Sequence, residues 1–274
     1  MTINLLNKSY FNSDENMVQN LFTFAYFQNF DSVIDNLARL AQDEDWKYKY
    51  TPFTQRKPIL RNYLNYTLRR LQEENKIREL TDKSCFNTGL VTENQEEIFA
   101  LFTLNLGGQS RWKFEYFCKE SDFKLRSFNP LPERATYFND PTNLVYDLRL
   151  GDPRIDYDHI MNSTENKSRF PEPYKSMPNY QLQVALEGAV RLAIKRVLRN
   201  YKAAVPQFFW DKNAILGQLQ LLLPLCMTSS SKADVALVIN RTNDVYSGET
   251  ILTLDMAYNN ARLLAKPDTE WLQP

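Results

Sequence analysis

One histidine, His159, stands in this chain of 274 residues, so imidazole acid–base chemistry has a single candidate. It lies in Arg154-Ile155-Asp156-Tyr157-Asp158-His159-Ile160, where Asp158 could orient the ring, and Arg169 downstream carries the forked donors that suit a phosphate. Together they would serve an enzyme acting on a phosphodiester or nucleotide, with His159 as acid or base and Arg169 or Arg134 stabilising phosphate charge. The competing reading is a histidine hydrogen-bonded in a turn, because nearness in sequence does not fix geometry. A lone histidine excludes multi-histidine metal sites. The wide spacing of Cys85, Cys118 and Cys226 excludes Cys-x-x-Cys zinc sites and a disulfide framework, so the cysteines read as small apolar fillers. Neither a Gly-x-x-x-x-Gly-Lys-Ser/Thr loop nor a Gly-x-Gly-x-x-Gly turn occurs, and no cofactor is expected.

A second set of residues is polar where the surrounding pattern is apolar. Asn87, Thr88, Asn240, Arg241, Asn259 and Arg262 sit on or beside segments that otherwise read as buried, and Arg70 falls inside the apolar stripe of its helix. With Arg134 they form a candidate ligand set: amides suit base edges and ribose hydroxyls, and guanidinium suits phosphate. The plain alternative is structural, since buried amides tie down loops and strand ends. Tyr63, Tyr66, Trp112, Phe114 and Tyr116 could stack on bases, although aromatics at such spacing usually build a core. Finally, Arg191, Lys195, Arg199 and Lys202 form a basic stripe about 16 Å long on one helix face, enough to meet several nucleic-acid phosphates. Its alternative is a solvated helix face.

The elements that must position these groups repeat one layout, a helix with arginines followed by an apolar hairpin. In the first copy, residues 58–75 form a helix that opens on a proline whose missing N–H does no harm there. Its stripe is Ile59, Leu60, Tyr63, Leu64, Leu68 and Leu71, and strands follow at 86–91 and 98–104. In the second copy, a helix spans 180–202 with Leu182, Leu186, Ala189, Val190, Ala193 and Val197 facing inward. A second apolar helix is expected at 214–223, stopped by Pro224. Strands at 235–240 and 250–254 then flank a turn at Tyr246-Ser247-Gly248, and Asp255 caps a final helix carrying Asn259 and Asn260. An earlier helix around Val33, Ile34, Leu37 and Leu40 takes its cap from Asp31-Ser32. Between the copies, residues 106–178 are punctuated by Gly107-Gly108 and seven prolines, and read as loop-rich with short strands.

The fold class that follows is α+β: amphipathic helices packed on antiparallel hairpins in a single domain over 1–274. Two loosely similar halves, 16–105 and 180–272, enclose a cleft and are joined by the Pro-rich segment 106–179. Lys plus Arg and Asp plus Glu both number 33, so any basic surface is local and not global. Residues 1–20 lack a signal-peptide pattern, and no apolar run approaches the roughly 20 residues that cross a bilayer. A cytoplasmic location without a membrane partner is expected.

The run Pro58-Ile59-Leu60-Arg61-Asn62-Tyr63-Leu64-Asn65-Tyr66-Thr67, with Glu73-Glu74-Asn75-Lys76-Ile77 and Cys85-Phe86-Asn87-Thr88-Gly89-Leu90, resembles an uncharacterised bacterial domain family. Leu131-Pro132-Glu133-Arg134-Ala135, Asp158-His159-Ile160, Arg169-Phe170-Pro171 and residues 246–262 extend the resemblance, which covers 21–272. Members of that family often sit beside a cold-shock domain or another predicted RNA-binding module. The resemblance therefore implies a setting in RNA biology, and it transfers no catalytic residue. The leading expectation is a protein that binds RNA or a nucleotide-like ligand. The alternatives are the His159 enzyme above and a non-catalytic protein–protein interaction scaffold, which the balanced charge and plentiful Tyr and Phe would suit.

Overall fold

The computed structural model describes residues 20–210 and 216–273. It is an α+β fold of two five-stranded sheets. A short α1 (Leu21–Phe24) leads through β1 (Ala25–Tyr26) into α2 (Phe30–Leu40) and then the long α3 (Pro58–Glu73). The first sheet continues with β2 (Arg78–Glu79), β3 (Lys83–Val91), β4 (Glu97–Leu104) and β5 (Trp112–Lys119). The second is built from β6 (Arg154–Ile155), then α4 (Tyr157–Asn162), α5 (Thr164–Arg169) and α6 (Asn179–Arg199), then β7 (Val205–Phe209), β8 (Gln218–Leu225), β9 (Val235–Thr242) and β10 (Val245–Thr253). The chain closes with α7 (Leu254–Arg262).

The two sheets share one topology. Their strand orders are β1-β5-β4-β3-β2 and β6-β10-β9-β8-β7. In each, a two-residue strand pairs in parallel with the last strand of its own sheet, helices follow, and the remaining four strands form an antiparallel meander. The middle segment is thus divided between the sheets: β5 completes the first, while β6, α4 and α5 belong to the second.

Alternation along the strands sets the layers. Phe86, Ala100 and Phe102 of the first sheet and Leu222, Ala236 and Val238 of the second point into one shared core, which also holds Leu60, Leu64 and Leu68 of α3 and Ala257, Tyr258 and Ala261 of α7. The opposite face of the second sheet, with Leu221, Leu223, Leu237 and Ile239, is covered by Leu182, Leu186, Val190 and Ala193 of α6. The opposite face of the first carries Cys85, Phe99 and Cys118 under Leu125 and Phe128. Burial there pushes the Cys118 thiol up to about 12, as befits a filler and not a nucleophile. All three cysteines are free.

The structure corrects four expectations. The apolar run read as a helix over 214–223 is instead strand β8 from Gln218 onward; residues 214 and 215 lie outside the described residues, as do 16–19 of the first half. An inner strand covered on both faces loses its polar–apolar alternation and reads like a short buried helix. Pro224 is tolerated because β7 ends at the Val205–Leu222 pair, so no strand flanks the proline on that side. The hairpin turn lies at Asn243-Asp244, with Asn243 at φ 54°, and not at Tyr246-Ser247-Gly248; Tyr246 is buried and stacked on Tyr146 at 4.6 Å. Thr253, not Asp255, caps α7 through its hydroxyl and the Met256 N–H. The cap of α2 is Asn29, whose side chain accepts from the Ser32 N–H in place of the expected Asp31-Ser32.

Candidate functional site

The first turns of α3 and of α7 meet over the segment 48–58, and a cavity of about 370 Å³ opens between them. Aromatic walls come from Phe22, Phe30, Tyr48 and Phe53, and amides from Gln55, Asn62, Asn65 and Asn259. Arg61 and Asp255 are the charged groups in the lining.

Helical spacing explains this placement. Asn62 and Asn65 lie one turn apart on the flank of α3, next to the stripe that faces the core. Asn62 Nδ2 donates to the Tyr48 hydroxyl at 2.9 Å, and Asn259 Nδ2 of α7 donates to the same oxygen at 2.6 Å. Tyr48 therefore ties both helices to the segment that closes the cavity, and its ring meets Phe53 edge-on at 5.2 Å. Asn259 Oδ1 is buried without a hydrogen-bond partner, an acceptor left over at the cavity wall. Asn65 Oδ1 takes the Leu21 N–H at 3.0 Å and fixes α1 as the far wall.

Electrostatics in the cavity are muted. Asp255 is 4% exposed and accepts the N–H groups of Lys49 and Tyr50 at 3.1 and 3.2 Å, so it anchors the segment. Arg61 pairs with Asp31, donates to the Arg56 carbonyl and lies 4.8 Å from the Phe30 ring centroid. Arg56 and Lys57 both pair with Asp35, and Lys57, at φ 48°, turns the segment into Pro58. The result is a largely apolar, amide-studded slot lined by few charges.

Of the ligand set read from the sequence, Asn259 alone lines this cavity. Arg262 is turned inward between the rings of Trp46 and Tyr63, at 5.0 and 4.8 Å, and binds Glu44 through two bonds of 2.7 and 2.9 Å. Arg70 is engaged by Glu73, Glu74 and the Thr136 carbonyl. Arg134 is exposed, and its carbonyl accepts from Lys76. Asn87 and Thr88 are buried at the irregular stretch of β3: Asn87 holds Glu97 and the Gly89 N–H, and the Thr88 hydroxyl donates to the Ile98 carbonyl. Gly89 is required there, since its φ is 72° and a Cβ would stand 2.6 Å from the Tyr63 hydroxyl.

Asn240 and Arg241 stand at the far end of the second sheet. Asn240 accepts from Gln220, Gln220 from Gln207, and Gln207 from Asn260, a ladder of four amides crossing from α7 to β9. Arg241 approaches Asp147 at 3.8 Å.

His159 and Asp158 are exposed on α4, where the Asp156 carboxylate caps the His159 N–H. No hydrogen bond joins the His159 ring to Asp158 among the described residues. Arg169 is held by Asn166, the Ile251 carbonyl and Glu165. Among the described residues no hydrogen bond or ion pair links the His159 ring, the Asp158 carboxylate and the Arg169 guanidinium.

Arg191, Lys195 and Arg199 are exposed on α6, which covers the face of the second sheet opposite the shared core, but the helix expected over 180–202 ends at Arg199, so Lys202 falls in the following turn Tyr201–Ala203 and pairs with Asp268 at 3.4 Å. Stripe and cavity are thus separate surfaces. Trp112, placed among possible stacking faces, is buried, and Tyr66 stacks on Trp210 at 5.4 Å. The cavity residues that sequence reasoning passed over, Tyr48, Phe53, Gln55, Asn62 and Asn65, lie in or just after an irregular segment. The one legible signal was the Asn62/Asn65 pair at helical spacing.

Comparison with known proteins gives a family without a function. Neither a curated protein nor a solved structure matches the chain. Among the described residues no helix is long and apolar enough to cross a membrane. The family described as "Domain of unknown function (DUF3825)" matches residues 37–271, a span that takes in α3, the first sheet apart from β1, the whole second sheet and α7, and so the chain belongs to the DUF3825 family.

Proposed function

We propose that this protein binds a nucleotide-like ligand, either a free nucleotide or an unpaired base of RNA, in the cavity between α3 and α7. The observation that carries the reading is the lining itself. Phe22, Phe30, Tyr48 and Phe53 offer flat apolar faces, while Asn62, Asn65, Gln55 and Asn259 offer the paired donors and acceptors that a base edge requires. A volume of about 370 Å³ is within the range of small-molecule sites. The test is a calorimetric titration with nucleosides, nucleoside monophosphates and short single-stranded RNAs. At least one class should bind, and Phe53→Ala should weaken it by about 1–3 kcal/mol, the worth of one stacking face. Binding by none of them, or full affinity in the Phe53→Ala protein, would overturn the reading.

A second contact with RNA is favoured by the stripe on α6. Arg191, Lys195 and Arg199 follow one another at four-residue steps, about 6 Å of rise each, and none has an acidic partner among the described residues. If the stripe meets RNA phosphates, Lys195→Glu with Arg199→Glu should flatten the dependence of RNA affinity on salt. An unchanged salt slope would remove the stripe from the interface.

A further inference from the structure

Two lysines from distant parts of the chain approach one ring beside the cavity, each without an ion-pair partner among the described residues. Lys49 Nζ lies 5.8 Å from the centroid of the Tyr50 ring, and Lys232 Nζ, from the loop between β8 and β9, lies 5.7 Å from the same centroid. Both lysines are exposed, and neither forms an ion pair among the described residues. The carboxylates that share Tyr50's surroundings, Asp255 and Asp234, are already committed. Asp255 accepts from the Lys49 and Tyr50 N–H groups, and Asp234 accepts from the Met227 and Thr228 N–H groups at 2.7 and 2.8 Å and from the Thr228 hydroxyl at 2.6 Å. The other cations at the cavity, Arg56, Lys57 and Arg61, are paired with Asp35 and Asp31.

The nearby carboxylates thus spend their hydrogen bonds on backbone N–H and hydroxyl groups, while two ammonium groups each approach the Tyr50 ring, whose backbone N–H is held by the Asp255 of the cavity wall. Exposed ammonium groups without an ion-pair partner keep their donors for an anion from outside.

We infer that Lys49 and Lys232 hold the phosphate of the ligand whose base occupies the cavity, so that the site takes phosphorylated nucleotides and not nucleosides. The inference rests on the base-binding reading above. The shared chemistry is a base joined through ribose to a phosphate, whether free or within an RNA strand.

The test compares adenosine and uridine with their 5′-monophosphates and with three-nucleotide RNAs, titrated into wild type and a Lys49→Ala/Lys232→Ala protein. Phosphorylated probes should bind wild type about tenfold more tightly than nucleosides, the factor expected of one charge-assisted contact. The double variant should abolish that gap while leaving nucleoside affinity unchanged, and Lys49→Arg/Lys232→Arg should restore it. A gap with the monophosphates marks free nucleotide as sufficient, whereas a gap confined to the trinucleotides marks an internal RNA phosphate. Equal affinities for nucleoside and nucleotide, or a gap that survives the double alanine variant, would overturn the phosphate role with the base reading intact. Failure of every probe to bind wild type would overturn both.

Discussion

At the scale of single residues, the polar groups buried in this chain mostly hold it together. Arg262 shows the pattern. Its guanidinium lies between two rings and meets Glu44, whose side chain is 5% exposed, so neither charge is offered to a ligand. Arg262→Ala would strand the Glu44 carboxylate in the core, and a loss of about 3–5 kcal/mol is expected in urea denaturation. Glu44→Gln with Arg262→Met removes both charges and keeps an acceptor for the Tyr258 hydroxyl, so the pair should lose less than Arg262→Ala alone. A double variant as unstable as the single one would mean that packing, and not the charge, sets the cost.

At the scale of elements, the amide ladder decides how α7 sits on the second sheet. Gln207 and Gln220 are buried and directly opposite in the β7–β8 register, and the bond from Asn260 extends their line onto the helix. Gln220→Leu leaves the Gln207 donor and the Asn240 acceptor unpaired, which should cost about 1–3 kcal/mol by chemical denaturation. Combined with Gln207→Leu, the effect should fall short of the sum of the single changes, because the two residues share one bond. Strict additivity would show that the ladder is not a unit. Asn240 stood out in the sequence, but its partners did not, since a glutamine in an apolar strand reads as an isolated exception until register brings the next one opposite.

At the scale of the whole molecule, the two sheets are fastened by one core. Leu64 of α3 and Leu222 of β8 belong to the same buried cluster, although one is attached to each half of the topology. Unfolding should therefore be a single transition, with far-ultraviolet circular dichroism and tryptophan fluorescence coincident. Leu222→Ala should shift both signals together by about 2–5 kcal/mol. Two separated transitions would mean that the sheets fold as independent units.

Local pattern determined a good part of this. The stripe of α3 and the inward face of α6 were legible because a helix repeats its face every 3.6 residues, and the β3–β4 hairpin because turn-forming residues separate two apolar runs. The α+β class followed from these elements alone. Only tertiary structure decided that 218–225 is a strand, since burial on both faces erases the two-residue alternation that marks one. Only tertiary structure separated the ligand set into cavity, core and sheet end, and brought Tyr48 between Asn62 and Asn259 across some two hundred residues of chain. A side chain's type fixes what it can bond to. Which partners stand within reach is fixed by how distant segments pack, and periodicity carries no record of that.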